Sequence, residues 1–132
     1  MEANGYIGID VAKEWLDIAA RPEGDAWRAR NDEVGISELV GQLVERAPQL
    51  VVLEATGGLE TALAAALTTA ALPVVIVNPR QVRDFARATG QLAKTDALDA
   101  GILALFAERV RLTPRPLPTE AAHLFDAVRR RR

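Results

Sequence analysis

Tyr6-Ile7-Gly8-Ile9-Asp10-Val11 constrains the fold more than any other stretch of this chain. Its apolar residues do not alternate with polar ones, so both faces of the segment must be covered, as in a central strand of an α/β sheet. Gly8 leaves room for another backbone to approach closely. The run ends on a carboxylate, and open α/β sheets place their working crevices at the ends of strands. Taken alone, Asp10 also fits an ordinary turn.

Two further runs have the same character. Leu50-Val51-Val52-Leu53-Glu54 again ends on a carboxylate, and Val74-Val75-Ile76-Val77 is followed by the turn Asn78-Pro79. Between the first and second runs, Trp15–Ala20 and Ala26–Arg30 read as two more strands. A turn at Arg21-Pro22-Glu23-Gly24-Asp25 separates them, and the second pattern, small or apolar against basic, suits an edge strand with one wet face. Helical periodicity comes next. Ile36, Leu39, Val40, Leu43, Val44 and Ala47 repeat at helical spacing from Gly35 until Pro48 stops them. Leu59 to Ala71 is rich in Ala and Leu, Arg80 to Ala88 is a basic helix closed by Gly90, and a helix is expected from Lys94 to about Val110. Thr113–Pro118 is a proline spacer, and Thr119 caps a final helix. The resulting order, three antiparallel strands and then alternating strands and helices, predicts an α/β ribonuclease-H-like domain. Its mixed five-stranded sheet is flanked by helices over residues 1–112, and residues 113–132 form a spacer and the start of a further helix.

Composition removes several chemistries. There is no Cys and one His, His123, so thiolate and multi-His metal sites are excluded and a His-based triad is disfavoured. No signal peptide or membrane span is evident, which predicts an intracellular protein. Residues 1–78 carry 5 Lys/Arg against 12 Asp/Glu, while 79–132 carry 11 against 6. This asymmetry points to a polyanionic partner on one side. The chain stops at Arg129–Arg132 inside a helical pattern, and it is expected to be part of a longer protein.

In a sheet of this order the strands ending at Asp10 and Glu54 are parallel neighbours. Asp96 and Asp99, three apart in a helix, share one face. If that helix packs beside the same sheet end, four carboxylates converge. Like charges ~4 Å apart at an effective dielectric of ~20 cost about 4 kcal/mol per pair, so such a cluster calls for protons or a cation. Oxygen ligands without His or Cys suit Mg²⁺ or Mn²⁺. Plainer readings stand beside each feature: Asp96 as a helix cap with Asp99 in the first turn, Glu54 as a strand-end charge, and Glu54–Gly58 as a phosphate-cradling turn. Arg80, Arg83 and Arg87 form a basic stripe, which with Lys94 fits either a solvated face or phosphate contacts. Trp15, Trp27, Phe85, Phe106 and Phe125 read as packing residues.

Four motifs, in order, carry a resemblance. They are Gly8-Ile9-Asp10-Val11-Ala12-Lys13, Leu53-Glu54-Ala55-Thr56-Gly57-Gly58, Val77-Asn78-Pro79-Arg80-Gln81-Val82-Arg83 and Ala93-Lys94-Thr95-Asp96-Ala97-Leu98-Asp99-Ala100. Together they closely resemble the DEDD-type insertion-sequence transposases, which carry an N-terminal RuvC-like domain. The resemblance implies that Asp10, Glu54, Asp96 and Asp99 are the D-E-D-D set, binding divalent metal and catalysing phosphodiester exchange on DNA in transposition. It further implies a structured guide RNA, a homo-oligomeric full-length protein in the bacterial cytoplasm at the nucleoid, and a downstream serine-bearing domain. Two other activities compete with it: a self-sufficient structure-specific DNA nuclease of RuvC type, and a non-catalytic nucleic-acid-binding fragment. A sugar-kinase or actin-like ATPase is disfavoured, because Val11-Ala12-Lys13-Glu14 lacks the needed phosphate loop.

Overall fold

The computed structural model describes residues 5–90 and 99–110. Strands β1 (Tyr6–Val11), β2 (Trp15–Arg21), β3 (Ala26–Arg30), β4 (Leu50–Glu54) and β5 (Val74–Val77) form one sheet in the order β3-β2-β1-β4-β5. The first three are antiparallel, and β4 and β5 run parallel to β1. Helices α1 (Glu33–Arg46), α2 (Thr61–Thr69), α3 (Pro79–Ala88) and α4 (Ala100–Val110) complete the described residues. This is the ribonuclease-H-like arrangement that the element order predicts.

Strand parity divides the core into two layers. Ile7, Ile9 and Val11 face one side with Leu16, Ile18, Val51 and Leu53, where Leu39 and Leu43 of α1 and Leu63 and Leu67 of α2 cover them. Tyr6, Leu50 and Val52 face the other side, against Val82 and Ala86 of α3 and Leu103, Phe106 and Ala107 of α4. Phe85 meets Phe106 edge-on, with ring centroids 5.3 Å apart. β3 is an edge strand, as its pattern predicts. Trp27 turns towards α1 and donates its indole N–H to Gln42 Oε1 (2.9 Å), while Arg28 and Arg30 lie on the exposed side.

Helix ends obey local chemistry, and the helix starts differ from expectation. Helix α1 starts at Glu33, ahead of Gly35, because the Asp32 carboxylate accepts the Gly35 N–H (2.7 Å) and caps it there. It closes at Ala47 in the left-handed region, φ 48°. Helix α2 begins only at Thr61, because Ala55–Glu60 is held as a loop by its own hydrogen bonds. Helix α4 begins at Ala100 with Asp99 as its cap, not as a first-turn residue. Helix α3, expected from Arg80, starts one residue earlier at Pro79, with Asn78 as its cap: Asn78 Oδ1 accepts the Arg80 N–H (2.8 Å).

Helix α4 is seated directly over Gly8. A Cβ built there would come within 2.3 Å of Ala104 N and 2.4 Å of Ala100 O. Arg21 of β2 ties down the far half of the helix, donating its Nε–H to Glu108 Oε1 (2.8 Å). The start of α4 is thereby fixed against the middle of β1. No helix among the described residues is long and apolar enough to cross a membrane.

Candidate functional site

Asp10 and Glu54 occupy the C-terminal ends of adjacent parallel strands; the β1–β4 register runs from Tyr6↔Leu50 to Ile9↔Leu53. Tyr6 and Leu50 point to the α3/α4 side, so four residues on, by parity, Asp10 and Glu54 point there too. Both are half-buried. Close contact at Gly8 sets the first turn of α4 over the same part of β1, which brings Asp99 to this end. Asp99 caps the helix: its Oδ1 accepts the Ile102 N–H (2.9 Å), and its carbonyl accepts the Leu103 N–H (3.1 Å).

These carboxylates lie in one another's field. Burial, then Asp17 and then Asp99, pushes the Asp10 carboxyl above the ordinary aspartate value. Burial and Asp10 likewise push Glu54 up, while the Arg83 guanidinium pulls it down. Arg83 is the half-buried member of the α3 stripe, next to buried Val82, and it is the one that acts on Glu54. Arg80 is exposed at the start of α3, and Arg87 pairs with Asp84 (3.5 Å). The stripe therefore divides into three environments. Asp96 and Lys94 lie outside the described residues.

Two features of this region are missed by sequence reasoning. Asp17 of β2 stands directly opposite Asp10 in the antiparallel register, and Arg28 of β3 stands opposite Asp17. The Arg28 Nε–H donates to Asp17 Oδ1 (2.8 Å) and Nη2 reaches Oδ2 (3.5 Å). The signal is present in the chain: the three-residue turn after Val11, with period-2 parity, sets residue 17 beside residue 10. The second feature is Glu60. Its Oε1 accepts hydrogen bonds from the Thr56 N–H (3.1 Å), the Thr56 hydroxyl (2.9 Å) and the Gly58 N–H (3.1 Å). The loop after Glu54 thus already holds an internal carboxylate where the phosphate-cradle reading would place a ligand. Trp15 is half-buried on the α4 side of the sheet, with the guanidinium groups of Arg28 and Arg30 packed over its ring at 4.9 and 4.8 Å.

The donor chemistry fits a hard divalent cation. Asp10, Glu54, Asp17 and Asp99 offer only oxygen, and among the described residues neither Asp10 nor Glu54 accepts a hydrogen bond that would quiet its charge. Among the described residues no three acidic or imidazole side chains close around a single point as they stand. A groove of about 590 Å³ opens beside the cluster, lined by Asp10, Asp17, Arg28 and Asp99 with the small residues Ala19, Ala26 and Gly101.

Comparison with known proteins agrees with the motifs. No curated protein matches the chain. A family of transposases, proteins that break and rejoin DNA, matches residues 7–132, from the first strand to the C-terminal arginines. Together with the ribonuclease-H-like sheet, this match establishes that the chain belongs to the IS110-type DEDD transposase family.

Proposed function

We propose that this chain is the metal-dependent DNA-processing domain of an IS110-type transposase, with Asp10, Glu54, Asp96 and Asp99 as its metal-holding carboxylates. The observation that carries the reading is the placement of Asp10 and Glu54 side by side on one sheet face, where the Asp10 charge adds to the cost of ionising Glu54, with Asp99 delivered to the same end by α4 and adding to the cost of ionising Asp10. Asp10 and Glu54 would hold Mg²⁺ or Mn²⁺ from the sheet, and Asp99 from the helix cap. A divalent cation held by these residues would supply charge stabilisation for the oxygens of a phosphodiester exchange. Arg83, beside Glu54, would orient a DNA phosphate at the site, and Arg80, Arg87 and Lys94 would carry the flanking backbone. In this reading the partners are DNA, a structured guide RNA and further copies of the full-length protein, whose serine-bearing domain completes the exchange.

Thermal melting with and without Mn²⁺ or Mg²⁺ tests the proposal. A cation at one hundred times its Kd should stabilise the fold by about 2.7 kcal/mol, and Asp10→Asn with Glu54→Gln should abolish that gain. A metal response unchanged in the double variant would overturn the site. Incubation with branched DNA and Mg²⁺ addresses self-sufficiency: cleavage by this chain alone would favour a stand-alone nuclease over a domain that depends on a second one.

A further inference from the structure

The motifs do not include Asp17, yet it shares the face, the level and the groove of the acidic residues. Directly opposed residues of an antiparallel pair lie roughly 5 Å apart at Cβ, and like charges there oppose one another. A strand pair without a function for Asp10 and Asp17 would gain by losing one of them. Here a third strand compensates: Arg28 clamps Asp17 side-on through Nε and Nη2, and its guanidinium rests on the Trp15 ring, so it is held from two directions. The result is a row across three strands, Asp10–Asp17–Arg28, with Asp99 at the same groove. Both partners of the pair stay reachable from solvent, with side chains 42% (Asp17) and 55% (Arg28) exposed.

We propose that Asp17 is a fifth carboxylate of the acidic site, a positioning residue that sets how strongly the site draws a divalent cation, with Arg28 as its counterweight. This rests on the cation-site reading above. With Arg28 in place, the group Asp10, Asp17, Asp99 and Arg28 carries a formal charge of −2. Without Arg28 it carries −3. Without the Asp17 charge it carries −1, and Arg28 is left unpaired beside the site. Removing either partner of one pair therefore moves cation affinity in opposite directions. A unit charge roughly 6 Å from a divalent ion, screened as in water, changes binding by about tenfold, which is within the range seen when groups behind a metal's ligands are altered.

Titration of the 132-residue chain with Mn²⁺ alone, read by calorimetry and by the signal of the free ion in electron paramagnetic resonance, tests this. Asp17→Asn is expected to weaken binding about tenfold, Arg28→Gln to tighten it by several-fold, and the double variant to fall within about twofold of wild type. The melting temperature of each metal-free variant shows that the fold survives. Shifts in the same direction, or affinities all within about twofold of wild type, would reduce the pair to a structural cross-strand contact and overturn the inference, even with the cation site intact. Absence of Mn²⁺ binding by wild type would instead overturn the cation-site reading and this inference with it.

Discussion

Gly8→Ala is the sharpest test of how the site is assembled. The added methyl would sit 2.3 Å from Ala104 N, 2.4 Å from Ala100 O and 2.8 Å from Leu103 C. Favourable contacts begin near ~3.5 Å, so α4 must retreat from the sheet by roughly 1 Å. All three obstacles are helix backbone, and no side-chain rotation relieves them. Overpacking of a well-filled core costs ~1–3 kcal/mol, and an unyielding backbone places this case at the upper end, about 3 kcal/mol. For a domain of this size that corresponds to a fall in Tm of roughly 10–15 °C. Thermal melting monitored by circular dichroism reads the loss. Hydrogen exchange should show it concentrated in Ala100–Ala107, and the Mn²⁺ response should shrink as Asp99 leaves Asp10. Gly41→Ala is the control: Gly41 is exposed in α1 with open space around it, and Ala should gain ~0.5–1 kcal/mol there. A Gly8→Ala protein melting within about 2 °C of wild type would refute the account of how α4 is seated.

Three further outcomes are expected. Asp10→Asn should stabilise the metal-free domain at neutral pH by removing a charge penalised first by burial and then by opposed like charges, the latter worth ~0.2–1 kcal/mol. Because the folded state holds the Asp10 proton more tightly than the unfolded chain, its charge penalty is absent below the ordinary aspartate pKa and complete above the raised one; denaturant unfolding from about pH 3 to 8 should show the gain only towards the upper end. Glu60→Ala should cost about 1 kcal/mol and open Ala55–Glu60 to protease. Since hydrogen bonds from its own backbone N–H, from Thr56 and from Gly58 outweigh burial and depress Glu60, its contribution is present above the ordinary glutamate pKa and fades as pH falls through the lowered one. Arg83→Gln should push Glu54 further up, detectable by carboxyl-resolved nuclear magnetic resonance titration, and weaken DNA binding with a smaller salt slope, whereas Arg87→Gln should leave Glu54 unchanged.

Much of this architecture is legible in the chain because β-strand chemistry is local. Unbroken apolar runs identify Tyr6–Val11, Leu50–Glu54 and Val74–Val77 as covered strands, and two-residue parity places Asp10 and Glu54 on a common face once β1 and β4 are neighbours. Gly8 announces a close approach, but only tertiary packing names α4 as what approaches. The opposition of Asp17 to Asp10 is set by turn length, yet an Asp between Leu16 and Ile18 reads as an ordinary wet position until its partner strand is known. The arginine stripe shows the limit of helical spacing. Arg83 and Arg87 share a face by periodicity, but proximity to Glu54 depends on how Val82 and Ala86 dock onto the sheet. Helix starts are misread where a side chain, not periodicity, decides the boundary, as Asp32, Glu60 and Asp99 do.

Asp99 serves two masters with two oxygens. One of them, Oδ1, is committed to the Ile102 amide; whatever enters the groove can have Oδ2 without disturbance, but a chelating grip on both atoms would strip the helix of its stopper. Ligation and fraying of the opening coil of α4 are thereby tied to one another. The protection of a single backbone proton, at Ile102, becomes a gauge of how that carboxylate is being used.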